Sequence, residues 1–103
     1  MKIKLPADYI EYIETDGISE GFTEGEPGYF QLWPPDEIQS MNRSLQVQEN
    51  APGYIGFGSD GGGELLAFDK AGAVFKLPMV GMSAEDAIRI ADSWAQISKR
   101  VHK

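Results

Sequence analysis

The stretch "GFGSDGGGE", residues 56 to 64, places Gly56, Gly58 and Gly61 at the G-x-G-x-x-G spacing by which dinucleotide-binding loops bring backbone amides up to a pyrophosphate. That chemistry needs a strand before the glycines and a helix after them, whose amino-terminal amides and dipole hold the phosphates. The following segment, "GGELLAFDKAG", supplies no such helix. Gly62 and Gly63 would each cost about 1 kcal/mol relative to alanine in a helix interior, and the chain turns again between Asp69 and Gly72. Asp60 and Glu64 would set carboxylates against an anion, and no lysine follows Gly63 as a G-x-x-x-x-G-K loop requires. The glycines therefore read as positive-φ turn residues, or as points of close backbone approach, between two strands.

The remaining chemistry-bearing residues form no catalytic set. Asp60, Glu64 and Asp69 offer oxygen ligands but lack the D-x-[DN]-x-[DN]-G calcium-loop spacing. As a glycoside-cleaving pair they do not stand out in a chain with sixteen acidic residues. Ser59 fails the G-x-S-x-G elbow because Phe57 occupies the first glycine position. The single histidine, His102, is the penultimate residue, and cysteine is absent. No metal, cofactor or enzymatic mechanism is expected. Of the two tryptophans, Trp94 is expected in the core, while two prolines place Trp33 at the exit of a strand.

Charge points to a different kind of function. The net charge is −7, and residues 1–64 carry twelve acids against three bases while residues 65–103 carry four against six. An acidic front disfavours direct nucleic-acid binding and would steer a basic protein partner. Glu20, Glu24, Glu26, Asp60 and Glu64 are the candidate contacts, with Tyr29 and Trp33 as apolar anchors.

These residues must be positioned by one domain spanning 1–103, since this length suits a single core. The composition, 42% apolar and 24% charged, is that of a folded globule. Asp8 and Glu11 interrupt any signal-peptide core, and no apolar run nears the roughly 20 residues that span a bilayer. A soluble, cytoplasmic protein with no membrane association is expected.

In "LPADYIEYIETDG", Pro6 suits a helix start, Leu5, Tyr9, Tyr12 and Ile13 recur at helical spacing, and Gly17 stops the helix. Gly17 to Gly28 reads as a mobile loop without periodicity. "GYFQLW" reads as a strand ended by Pro34 and Pro35, after which Ile38, Met41 and Leu45 mark a second helix. "GYIGFG", "ELLAFD" and "AVFKL" read as a three-stranded antiparallel meander. Ser83 and Asp86 form an S-x-x-D start to a last helix, with Ala87, Ile90, Ala91, Trp94, Ile97 and Val101 on one face and Lys99, Arg100 and Lys103 at its negative end. The fold class is α+β, a mostly antiparallel sheet flanked by helices.

Four segments, "LPADYIEYIETDG", "YFQLWPPDEIQSMN", "APGYIGFGSDGGGELLAFD" and "LPMVGMSAEDAIRIADSWAQI", in that order resemble the SUKH superfamily and its Smi/Knr-type group, named for fungal regulators of cell-wall synthesis. The resemblance implies an α+β fold without enzymatic activity. It also implies a bacterial immunity protein that binds and blocks a polymorphic toxin, often a nuclease or nucleic-acid deaminase, with a regulatory scaffold lacking a toxin partner as the alternative. It brings no common set of partner-binding residues, so the contacts named above rest on charge and aromatic character alone.

Overall fold

The computed structural model describes residues 4–15 and 17–102. Met1 to Ile3, Asp16 at the expected end of the first helix, and Lys103 at the expected end of the last lie outside the described residues.

The first helix forms as its spacing predicts. Helix α1 spans Ala7–Thr15, Pro6 accepts from the amides of Tyr9 and Ile10, and Gly17, at φ 63°, returns its amide to the Tyr12 carbonyl. It buries Tyr9 and Tyr12.

Among the described residues six strands follow in a meander, each antiparallel to its sequence neighbour: β1 Glu20–Phe22, β2 Tyr29–Leu32, β3 Ile55–Ser59, β4 Glu64–Phe68, β5 Val74–Pro78 and β6 Ile88–Ala91. Helices α2 (Ile38–Ser44) and α3 (Val47–Asn50) join β2 to β3, and α4 (Trp94–Lys99) follows β6. This is the α+β class expected, with β3 to β5 where the three apolar runs lie.

Two expectations are corrected. The segment from Gly17 to Gly28 contains β1, which pairs Glu20 with Gln31 and Phe22 with Tyr29. Its own residues bury little, so backbone pairing rather than apolar burial makes it a strand, and hydrophobic periodicity could not reveal it. The long helix from Ser83 is likewise replaced by a single 3-10 turn at Ala84–Asp86, then β6, then α4. Ser83 does accept from the Glu85 amide, but Ala87 at ψ 127° leaves the helical region, and the β-branched Ile88 and Ile90 continue as a strand beside β5. A second cap, Ser93 accepting from the Gln96 amide, starts α4.

The sheet is covered on both sides. Against one face, α1 and α4 pack a cluster built on Trp94, whose ring meets Tyr9, Tyr12, Phe30 and Phe57 edge-on at centroid distances of 5.1–5.7 Å. Such edge-to-face contacts add to the burial term of each ring. Asp8 on α1 accepts from the Ala95 amide, so one helix also caps the other. Against the other face, Val47 of α3 and Ala51 just after it pack with Leu65, Ala67, Leu77 and Met82. The buried Asn42 of α2 holds β3 by donating to the Gly56 carbonyl and accepting from its amide, both at 2.8 Å. An asparagine on the core face is invisible to an apolar-stripe reading, which placed Met41 there.

The sheet curls, and its ends meet. After α4 the chain runs along the outer edge of β1, where Thr23 bridges Val101, the Glu24 amide reaches the Arg100 carbonyl and the His102 amide reaches the Phe22 carbonyl. Arg100 Nη1 donates to the Ile90 carbonyl on β6 and to the Glu26 carbonyl in the β1–β2 turn. One guanidinium thus joins the last strand to the first hairpin.

Candidate functional site

The glycine stretch lies between β3 and β4, where no helix begins, and its glycines divide by cause. Gly61 and Gly63 have φ of 78° and 96°, as a tight turn requires. Gly56 and Gly58 are there for room: an added Cβ would lie 2.8 Å from Leu65 Cδ1 at Gly56, and at Gly58 would collide with the Gln31 carbonyl oxygen on β2. Asp60 folds the turn by accepting from the amides of Gly62 and Glu64. The turn is also a seat for Tyr29, whose ring lies 2.9 Å from where a Gly61 Cβ would stand.

The seven sequence-nominated contact residues do not form one patch. Glu20 and Tyr29 share one face of the β1–β2 hairpin, and the Tyr29 hydroxyl donates to Glu20 Oε2. That hydrogen bond to the carboxylate, ahead of slight burial, raises the Tyr29 phenol above its ordinary value of 10.0. Glu24 continues the row, exposed and 3.7 Å from His102 Nε2. Glu26 and Asp60 instead converge on Lys76 of β5, at 3.2 and 3.3 Å from its Nζ.

The electrostatics of that second group are mutual. Partial burial alone would raise the Asp60 carboxyl, but the Gly62 and Glu64 amides and the Lys76 ammonium outweigh it and hold the group below its ordinary 3.8. Burial would likewise lower Lys76, yet Glu26 and Asp60 raise it above 10.5. Glu64 is half-buried, and its Oε2 is enclosed without a hydrogen-bond partner among the described residues. Trp33 lies apart from all of these, packed against both core clusters and lining a cleft of about 290 Å³ with Ile13, Ile18, Pro34 and Pro35.

Sequence reasoning missed Phe22, whose side chain is 64% exposed and whose ring centroid stands 5.1 Å from that of Tyr29. Its signal was present in "EGFTE", where Glu20, Phe22 and Glu24 alternate along an extended chain and so share a face. It also missed Lys76 as the cation that engages Glu26 and Asp60, and Arg100 as the guanidinium that donates to the Glu26 and Ile90 backbone carbonyls.

No group of three metal-ligating side chains forms among the described residues. Asp69, at the far end of β4 from Asp60, accepts from the amides of Ala71 and Ala73. His102 Nε2 faces the Glu24 carboxylate, and no helix among the described residues is long and apolar enough to cross a membrane.

The family model described as SMI1/KNR4 family (SUKH-1) matches residues 1–100. The chain belongs to the SMI1/KNR4 (SUKH-1) family. Members of SUKH are generally non-catalytic binding domains that take protein partners. Comparison with individually curated proteins gives no match.

Proposed function

We propose that this chain is an immunity protein that neutralises a cognate polymorphic toxin of nuclease or deaminase type by direct stoichiometric binding. The observation that carries the reading is the acidic front, a balance of −9 over residues 1–64, with Glu20 exposed on the outermost strand and Glu24 exposed just beyond it. A domain that holds nucleic acid needs lysine and arginine around its cleft, and exposed carboxylates speed encounter with such a surface and oppose it in charge. The inhibitor acts in the cytoplasm, where the nucleic acid it protects is found, and requires no cofactor.

The test is to titrate the toxin encoded beside this chain's gene. An equimolar amount of the chain is expected to abolish toxin activity, and Glu20→Lys combined with Glu24→Lys to slow association about tenfold or more. No inhibition by the wild-type chain, or a gene with no toxin beside it, overturns the reading in favour of a regulatory scaffold. Undiminished inhibition by the charge-reversed variant moves the contact off this surface.

A further inference from the structure

The outer face of the β1–β2 hairpin combines an aromatic platform with flanking charge. Glu20 and Phe22 project to one side of β1, roughly 6.8 Å apart along the strand, and Glu24 follows, exposed, in the bend beyond it. Tyr29 and Gln31 of β2 stand opposite Phe22 and Glu20 on that same face. Helices α2 and α3 pack over β3 and beyond, leaving this end of the sheet open, with Glu20, Phe22, Glu24 and Gln31 all exposed. The platform is fixed in place: Gly61 backs the Tyr29 ring, Glu20 holds its hydroxyl, and Phe22 leans on it at 52°.

We infer that this face is an arginine-reading patch, with Phe22 and Tyr29 supplying the stacking surface and Glu20 and Glu24 the counter-charge for a guanidinium presented by a basic protein partner. The inference rests on the reading of the chain as a binder of a basic protein. Charge complementarity selects the occupant. A purely apolar partner would strip water from two carboxylates without pairing them, and a nucleic acid would bring phosphates against them. Lys76 and Arg100 are held by Glu26, Asp60 and backbone carbonyls, and His102 Nε2 lies 3.7 Å from the Glu24 carboxylate at one margin of the patch. Arginine fits better than lysine because its planar group stacks on a ring while its edge donates to a carboxylate, whereas an ammonium is a compact, strongly hydrated point charge.

The experiment is a two-dimensional amide NMR titration of the full chain with acetyl-Gly-Arg-Gly-amide and, separately, acetyl-Gly-Lys-Gly-amide. The arginine peptide is expected to shift the amides of residues 20–24, 29–31 and Gly61 and to bind more tightly than the lysine peptide. Phe22→Ala, which removes a ring that is mostly in solvent, should weaken it about two- to five-fold while leaving the remaining spectrum in place. Tyr29→Phe, which keeps the second ring, should retain the arginine preference. Shifts centred on other acids such as Glu11 and Glu14, equal response to both peptides, no response to either, or indifference to Phe22→Ala overturns the patch. Because no toxin enters this experiment, the two readings fail separately. Arginine binding here without toxin inhibition preserves the patch and removes the toxin, while toxin inhibition unchanged by Phe22→Ala does the reverse.

Discussion

Glu24 and Glu26 are two residues apart in one hairpin, yet they belong to different regions of the molecule. Glu24, with Glu20, stands on the outer face, whereas Glu26 joins Asp60 at Lys76 and helps close the curl of the sheet. The difference is set by what lies across the fold rather than by the hairpin itself. Lys76 comes from β5 and Arg100 from beyond α4, and both are drawn to the β1–β2 turn as the sheet closes. A charge balance counted along the chain therefore overstates the charge open to a partner. Of the carboxylates left on the outer side of this hairpin, Glu20 meets no lysine or arginine among the described residues, and Glu24 meets His102 Nε2 at 3.7 Å.

The largest expected effect comes from breaking the junction that both regions share. At Gly58 an alanine methyl would strike the Gln31 carbonyl and force β2 off β3. We expect Gly58→Ala to cost about 3 kcal/mol, lowering Tm by about 12–24 °C for a chain of this size. Hydrogen exchange should show lost protection in β1 and β2 while β4 and β5 keep theirs. Protection lost evenly over the sheet would mean that the hairpin is not a separable region.

Next in size is the inner cluster. Lys76→Met leaves Asp60, whose side chain is only 13% exposed, without its cation. A loss of about 1–2 kcal/mol is expected by chemical denaturation, between the values for exposed and buried pairs, with Lys76→Arg restoring most of it. The pH dependence follows from the directions of the shifts. Asp60 titrates lower folded than unfolded, so its contribution is present above its ordinary 3.8 and fades as pH falls through the lower folded value. Lys76 titrates higher folded, so its contribution is present below 10.5 and fades as pH rises through the higher folded value. In Lys76→Met the part of the alkaline loss due to Lys76 should vanish, leaving the part due to the raised Tyr29 and Tyr9 phenols, and the acid loss should shrink.

Much of this architecture was legible in the residues. The α1 spacing, the apolar runs of β3 to β5 and the core role of Trp94 all rest on local periodicity and burial, which a single sequence carries. What was not legible depends on distant partners. β1 and β6 are strands because β2 and β5 offer them hydrogen bonds, and Ile88-Arg89-Ile90 satisfies a helical stripe as readily as a strand until β5 decides. The site divides in the same way. Tyr29 and Glu20 were found by type, Phe22 was hidden in a segment read as loop, and the engagement of Glu26 and Asp60 required knowing where Lys76 would fall.

The smallest expected effect is the sharpest test of the contrast, because it separates a free carboxylate from an engaged one at nearly constant stability. Glu20→Gln keeps the side chain's size, and Glu20 meets no cation, so stability should change by less than about 0.5 kcal/mol. The local electrostatics should nonetheless respond. The Tyr29 phenol is raised chiefly by its hydrogen bond to the Glu20 carboxylate, and a neutral amide acceptor holds that proton less strongly. Titration followed at the Tyr29 ring carbons by NMR should therefore move down toward 10.0 in Glu20→Gln, with Asp60 and Lys76 unmoved. A simultaneous shift at Asp60 or Lys76 would show the two carboxylate regions to be coupled through the sheet, and the outer face could then not be tuned for a partner without loosening the closure beneath it.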